Sequence, residues 1–352
     1  MPVPFELSTD LGLSWRAITL DDIAIWHELI GAIEERDRPS ERLDRDDLIE
    51  ELTSGSYKDP ARNSLIGVDA GGAARAFGHM DVYPGATLRR VFLGGGVHPE
   101  WRRRGIGSEV LRWQTARAHA ALTEQETAGS GAELIPWRIV ASHEEHLTDR
   151  NALFNAKGYV AIRWFHDMVR PLGGGAVPIP EITVPEGVHL APWTEDLDEA
   201  VRLAHNDSFA GHWGSQPRDE ELWKESVTEH RTFRRDWSGV VIDATKLDGD
   251  GWPAVAGYLA AHAYPQDWPA KGYSQGWVSL VGVRPAWRGR RLAAALLAEN
   301  MRCLEADGID AAGLNVDTGN ASGALDLYLG MGYVVEHTSV AWALESLSAS
   351  GV

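Results

Sequence analysis

The chain repeats itself. The run Val97-His-Pro-Glu-Trp-Arg102 returns as Val283-Arg-Pro-Ala-Trp-Arg288 at an offset of 186 residues. Farther on, Phe154-Asn-Ala-Lys-Gly158-Tyr159 is echoed by Tyr328-Leu-Gly-Met-Gly332-Tyr333 at an offset of 174. Two landmarks in the same order and at nearly the same spacing mark a duplicated unit, so 352 residues read as two similar domains rather than one large core. The offset shrinks between the landmarks, which puts about a dozen extra residues in the first copy. The Gly/Ser/Glu-rich run 124–133 has the composition to hold them.

A Gly/Pro-rich stretch from Pro171 through Gly187 can sustain neither helix nor central strand. It predicts an N-terminal domain over 1–172, a linker over 173–187 and a C-terminal domain over 188–352. Within each copy the pattern is mixed α/β, an α+β arrangement around a mixed sheet. In the second copy, apolar alternation predicts strands over 188–192, 240–244, 254–263, 277–283 and 314–316, with a last strand inside 333–342. Helical periodicity predicts helices over 197–206, 292–306 and 322–329, and Gly308 stops the second of these.

Charge narrows the function. The 51 acidic residues outnumber 33 basic ones, for a net charge of −18. Such a surface repels phosphate backbones and anionic membranes, so neither nucleic acid nor a membrane is an expected partner, whereas protonated amines are attracted. Cys303 is the sole cysteine, which excludes an internal disulfide and a cysteine-built metal cluster. No metal is expected. The first residues lack the basic and apolar regions of a leader, and no apolar run approaches membrane-spanning length, so the expected location is cytoplasmic. The oligomeric state stays open.

The most informative segment runs Leu93-Gly-Gly-Gly-Val-His-Pro-Glu-Trp-Arg-Arg-Arg-Gly105-Ile-Gly107 into an apolar helix. A strand entering a basic, glycine-containing loop that opens a helix gathers free backbone N–H groups and the positive helix end at one point. That suits a pyrophosphate. Neither GxxxxGK[ST] nor GxGxxG is present, which excludes a Walker loop and a dinucleotide fingerprint.

The spacing Arg102-x-x-Gly105-x-Gly107 after Val-x-Pro resembles the acyl-CoA loop of the GCN5-related N-acetyltransferases (GNAT). The second copy offers Arg288-Gly-Arg-Arg291-Leu-Ala293, one glycine short of the pattern. Asn320-x-x-x-Ala324-x-x-x-Tyr328 matches a second signature of that family. The resemblance spans both halves, so it implies two tandem GNAT-like acyl-CoA N-acyltransferase domains. It further implies acetyl-CoA as acyl donor, a small-molecule amine as acceptor, and direct attack of the amine on the thioester. Carried over residue by residue, the cofactor-binding positions are Gly95, Val97, Arg102, Arg103, Arg104, Gly105, Ile106 and Gly107 in the first copy. In the second they are Val281, Gly282, Val283, Arg288, Gly289, Arg290, Arg291, Leu292, Ala293 and Asn320. Tyr328 is the catalytic candidate, protonating the leaving thiolate; its other role would be packing beside Tyr333. Asn320 could instead cap a helix. The first copy has Phe154 where that Tyr stands, so it reads as degenerate in catalysis. Arg291 replaces a glycine in the second copy, and a positive φ there would strain it. The segment from His205 to Gly214 supplies His212 and Trp213 as acceptor-binding candidates. The general base stays open among His262, Asp317, Glu336 and a water chain, since Trp277 occupies the strand position where a tandem member of the family has its glutamate. Two alternatives remain: a non-catalytic acyl-CoA-binding or regulatory protein, and an acetyltransferase acting on protein amines.

Overall fold

The computed structural model describes residues 7, 11–55, 58–83, 88–128, 135–210, 217–248, 251, 253–319 and 323–346. The elements of the first half are β1 (Ser14–Arg16), α1 (Ile23–Asp37), α2 (Arg45–Thr53), α3 (Pro60–Asn63), β2 (Ser64–Val68), β3 (Ala74–Tyr83), β4 (Arg89–Val97), α4 (Ile106–Ala128), β5 (Trp137–Glu144), α5 (Thr148–Ala156) and β6 (Val160–Pro171). The second half continues with β7 (Val188–Pro192), α6 (Asp198–Phe209), α7 (Glu220–Trp223), β8 (Gly239–Leu247), β9 (Pro253–Ala263), α8 (Trp268–Lys271), β10 (Gln275–Val283), α9 (Leu292–Ala306), β11 (Ala311–Asp317), α10 (Ala324–Gly330) and β12 (Val334–Glu345).

The chain forms two compact units, and they do not divide at the linker. Unit 1 comprises 1–164 together with 339–352; unit 2 comprises 165–338. In unit 1 the strands run β1-β2-β3-β4-β5, followed by residues 339–345 of β12 antiparallel to β5. In unit 2, residues 165–171 of β6 pair antiparallel with β11, and β11-β10-β9-β8-β7 complete the order. This corrects the boundaries read from the sequence. The Gly/Pro run ends β6 without saying which sheet accepts that strand, and strand pairing is decided by free edges and register rather than by local composition. The irregular segment 173–187 packs onto unit 2: Ile179, Ile182 and Val184 lie against its core. Arg170 donates to the carbonyls of Val177 and Pro178.

Each unit covers both faces of its sheet. In unit 1, α4 buries Leu111, Ala118 and Leu122 against Met80, Val91 and Ile139. On the other side, α1 and α2 bury Trp26, Leu29 and Leu48 against Ile66 and Phe77. In unit 2, α9 lays Leu292, Leu296, Leu297, Met301 and Leu304 on Val241, Leu259 and Val278. That helix has the boundaries expected of its Ala/Leu-rich periodicity. On the opposite face, α6 brings Val201 and Ala204 to Trp193, Trp223 and Tyr258. β9 is buried at every residue but its first, as a strand sandwiched between two helical layers must be. Much of the tryptophan is core: Trp26, Trp113, Trp193, Trp223, Trp237 and Trp287 are all buried.

Candidate active site

Both units contain a fork between parallel strands. In unit 1, β4 and β5 pair only from Arg89↔Trp137 to Phe92↔Val140. Beyond Phe92, β4 keeps its pairing with β3 as far as Val97, while β5 stays with β12. The two strands therefore part, and the backbone groups along the opening have no partner from the facing strand; side chains reach three of the carbonyls there, Gln114 to Gly94, Arg150 to Gly95 and Arg102 to Val97. A cavity of about 390 Å³ opens there, lined by Leu93 to Val97 on one side and Ala141 to His143 on the other. In unit 2, β10 and β11 pair from Gln275↔Ala311 to Val278↔Leu314 and then part. A bulge in β10 between Val278 and Leu280 accompanies the parting.

The loop between strand and helix closes the same way twice. Arg102 Nε donates to the Val97 carbonyl at 3.1 Å, and Arg288 Nε donates to the Val283 carbonyl at 3.1 Å. The rest of the Arg102 guanidinium forms a two-point pair with buried Asp37 at 2.6 and 2.8 Å. Arg288 donates to the Ser208 carbonyl at 2.8 Å. The first arginine of each loop thus holds the loop's shape as well as carrying charge. Arg104 stacks over Trp101, 4.7 Å from the ring centroid. Arg103 and Arg291 are exposed and have no side-chain partner among the described residues. Both stand at positive φ, +63° and +60°. The strain expected at Arg291 is therefore present, and Arg103 shares it. Gly105 and Gly107 open α4, Leu292 and Ala293 open α9, and Ile106 and Leu292 are buried anchors of those helices. Gly95 lines the cavity and Gly282 is buried on β10.

In the wall of the unit 1 cavity, Phe154 packs against His143, Tyr159 and Trp342. Burial, with Arg150 next in effect, pulls His143 down to about 4, so it is neutral near pH 7. Asn151 Nδ2 donates to the Glu145 carbonyl, which leaves Asn151 Oδ1 to accept from His143 Nε2 at 2.7 Å. The lone pair of His143 therefore sits on Nδ1, which is buried without a partner among the described residues. Arg150 donates to the Gly95 carbonyl at 3.2 Å, and burial lowers its pKa. Sequence reasoning missed Asp37, His143 and Arg150. A signal for His143 existed, since the offset of 174 sets it opposite Asp317 at the end of the equivalent strand.

In unit 2, Tyr328 lies on α10 where Phe154 lies on α5, and its ring meets Tyr333 edge-on at 6.0 Å. Burial pushes its hydroxyl up to about 12, which keeps it protonated at neutral pH. Val281, Val283, Gly289 and Arg290 fall on the strand end and loop as expected. Asn320, His212 and Trp213 lie outside the described residues. His205, grouped with the latter two in the sequence, is instead core: its Nδ1 bonds the Tyr258 hydroxyl and its ring stacks on Phe209. Of the candidate bases, Glu336 accepts from the Tyr273 hydroxyl at 2.7 Å. Asp317 is buried and accepts from Gly319 N. His262 is buried on β9. No group of three or more potential metal ligands occurs among the described residues, and no helix there is long and apolar enough to cross a membrane.

Comparison with known proteins places this geometry. The profile of the acetyltransferase (GNAT) family matches residues 199–333, which lie wholly within unit 2. A mycothiol acetyltransferase of Segniliparus rotundus is 29% identical over 305 residues, 84% of this chain and 98% of that protein. Among solved structures, a GCN5-related N-acetyltransferase from Sphaerobacter thermophilus superposes with a TM-score of 0.71 at 22% identity, covering 95% of each chain. A tandem GNAT protein from the clavulanic acid biosynthesis pathway has a TM-score of 0.63 at 16% identity, covering 96% of this chain and all of that one. These two likenesses are of fold.

Proposed function

We propose that the chain is a tandem GNAT protein of mycothiol synthase-like layout and that it acetylates the amine of a small molecule with acetyl-CoA, the chemistry residing in unit 2. The acceptor we infer is the amine that becomes mycothiol on acetylation, because a mycothiol acetyltransferase aligns along nearly its whole length. A net charge of −18 favours approach of such a cation. We place the reaction in the cytoplasm, where acetyl-CoA is available.

The observation that carries this reading is the fork of β10 and β11 beside Tyr328, within the segment that matches the family. The residues fit the donor. The backbone of Val281 and Gly282 lies along the opening without a partner from β11, and the N-terminus of α9 follows a loop with Arg291 unpaired among the described residues. The amine, stripped of its proton, attacks the thioester carbonyl, and the Tyr328 hydroxyl supplies a proton to the departing thiolate. Unit 1 keeps the better loop and an open cavity, but Phe154 cannot donate a proton. We assign it to holding acyl-CoA without turnover and to completing the fold. The readings as a purely non-catalytic protein or as a protein acetyltransferase meet the same test. Thiol release from acetyl-CoA is followed with deacetylated mycothiol, a panel of simple amines and a lysine peptide. Turnover with deacetylated mycothiol supports the proposal; release with none of the amines removes it.

A further inference from the structure

His262 stands on β9 directly across from Trp277 on β10, one residue before Val278, the last paired residue ahead of the unit 2 fork. The two residues of such a pair point to the same face of the sheet. That face carries α6 and Tyr258, away from α9. His262 is 4% exposed. Its Nδ1 lies 2.8 Å from Thr232 Oγ1, and Thr232 Oγ1 lies 2.8 Å from His230 Nδ1. Thr232 is also buried, whereas His230 is only half-buried. Three polar groups thus form a chain from the interior beside the fork towards solvent.

The chain has a direction. The Thr232 backbone N–H also points at His230 Nδ1, at 3.4 Å, so that nitrogen is an acceptor. The Thr232 hydroxyl then donates to His230 and must accept from His262, whose proton is on Nδ1. The lone pair of His262 is therefore on Nε2, which bonds to none of the described residues.

Resting on the proposed acetyl transfer in unit 2, we propose that the chain His262–Thr232–His230 is the proton path that deprotonates the acceptor amine. His262 Nε2 takes a proton from the ammonium, directly or through one water. The His262 Nδ1 proton moves to Thr232 Oγ1, and the Thr232 hydroxyl proton moves to His230 Nδ1. A neutral amine remains, and the single proton it lost is carried by His230, which passes it to solvent. The ring tautomers reset by exchange with water after product leaves. A relay is needed because burial, then His230, lowers His262 to about 4, so the buried ring cannot keep the charge. Phe233 and Tyr264 flank the ring, and His230 is the charged neighbour that acts on it. Lys271, anchored by Asp267 and Gln275, lies over the Trp277 ring on the neighbouring strand.

The test is steady-state turnover of the full chain with acetyl-CoA and deacetylated mycothiol between pH 6.5 and 9.5, for wild type, His262→Asn and His230→Gln. At pH 7, kcat/KM for the amine should fall on the order of 10²-fold in His262→Asn and about 10-fold in His230→Gln, with the acetyl-CoA Kd unchanged. Both deficits should shrink towards pH 9.5, where solution supplies the neutral amine. His230→Gln lies at the half-buried end and serves if His262→Asn does not fold. A deficit equal at every pH, or none, overturns the relay. A wild type without turnover removes the functional reading itself, whereas an active wild type with unaffected variants removes the relay alone.

Discussion

Arg103 and Arg291 hold the same left-handed backbone at different places in one repeated loop. The offset of 186 sets Arg103, at φ +63°, opposite Gly289, at +75°, and sets Arg291, at +60°, opposite Gly105, at +85°. The loop demands two left-handed residues in each copy. Each copy meets one demand with glycine and the other with an arginine that is exposed and unpaired among the described residues.

That relationship makes replacement of either arginine informative. The left-handed conformation costs a side-chain-bearing residue about 1–2 kcal/mol, and glycine returns up to about 1 kcal/mol of this through its freer unfolded chain. Arg103→Gly and Arg291→Gly should each raise stability by roughly 0.5 kcal/mol. Urea unfolding measures it; a lowered midpoint in both variants would show that these arginines are relaxed. The same Arg291→Gly variant should bind acetyl-CoA more weakly, having lost a charge at the loop.

Tyr328→Phe removes a hydroxyl and leaves the ring against Tyr333. Its kcat should drop by roughly 10²–10⁴ while acetyl-CoA affinity holds. Full retention of kcat would assign Tyr328 to packing.

The division of labour between the units is checked by two matched substitutions. A side chain built at Gly105 meets nothing within 4 Å, so Gly105→Glu carries its negative charge into open space at the first loop, at a backbone strain of about 1 kcal/mol. Ala293→Glu places the same charge at the second. Turnover should vanish in Ala293→Glu and largely survive in Gly105→Glu. The opposite pattern would move the chemistry to unit 1.

Three buried histidines tie stability to pH. Burial is the first cause that lowers His143 and His262 to about 4 and His205 to about 3. In the unfolded chain they titrate near 6.5, so the folded state is favoured above that pH. Its advantage fades as pH falls from about 6.5 towards 4, at up to about 1.4 kcal/mol per pH unit for each histidine. Denaturant midpoints at pH 7.5, 5.5 and 4.5 should fall in that order, and His143→Phe should flatten part of the decline. A midpoint constant from pH 7.5 to 4.5 would contradict the burial of these rings.

Local chemistry was readable wherever neighbouring residues decide the structure. The helix 292–306 needs no more than its Ala/Leu stripe and Gly308, and the strand at 188–192 is likewise bounded by its own residues. The loop at 97–107 is recognisable because its glycines, arginines and Val-x-Pro entry lie side by side in the chain. Asp37 was not legible: it reaches Arg102 across 65 positions, and no local pattern marks it. The relay at His230, Thr232 and His262 was visible only as one candidate base, since Thr232 and His262 are 30 residues apart and the sheet alone brings them to 2.8 Å.

By itself the sequence determined the duplication, the two arginine- and glycine-bearing loops, and the difference between Phe154 and Tyr328, because each of these is written in residues a few positions apart. Tertiary structure alone decided where the last strands go, with 165–171 joining β11 in unit 2 and 339–345 joining β5 in unit 1. A strand's own residues specify that it will pair and which face it buries. Which edge it joins depends on the edges left free by strands more than a hundred residues away, and that information exists only once the sheets have formed.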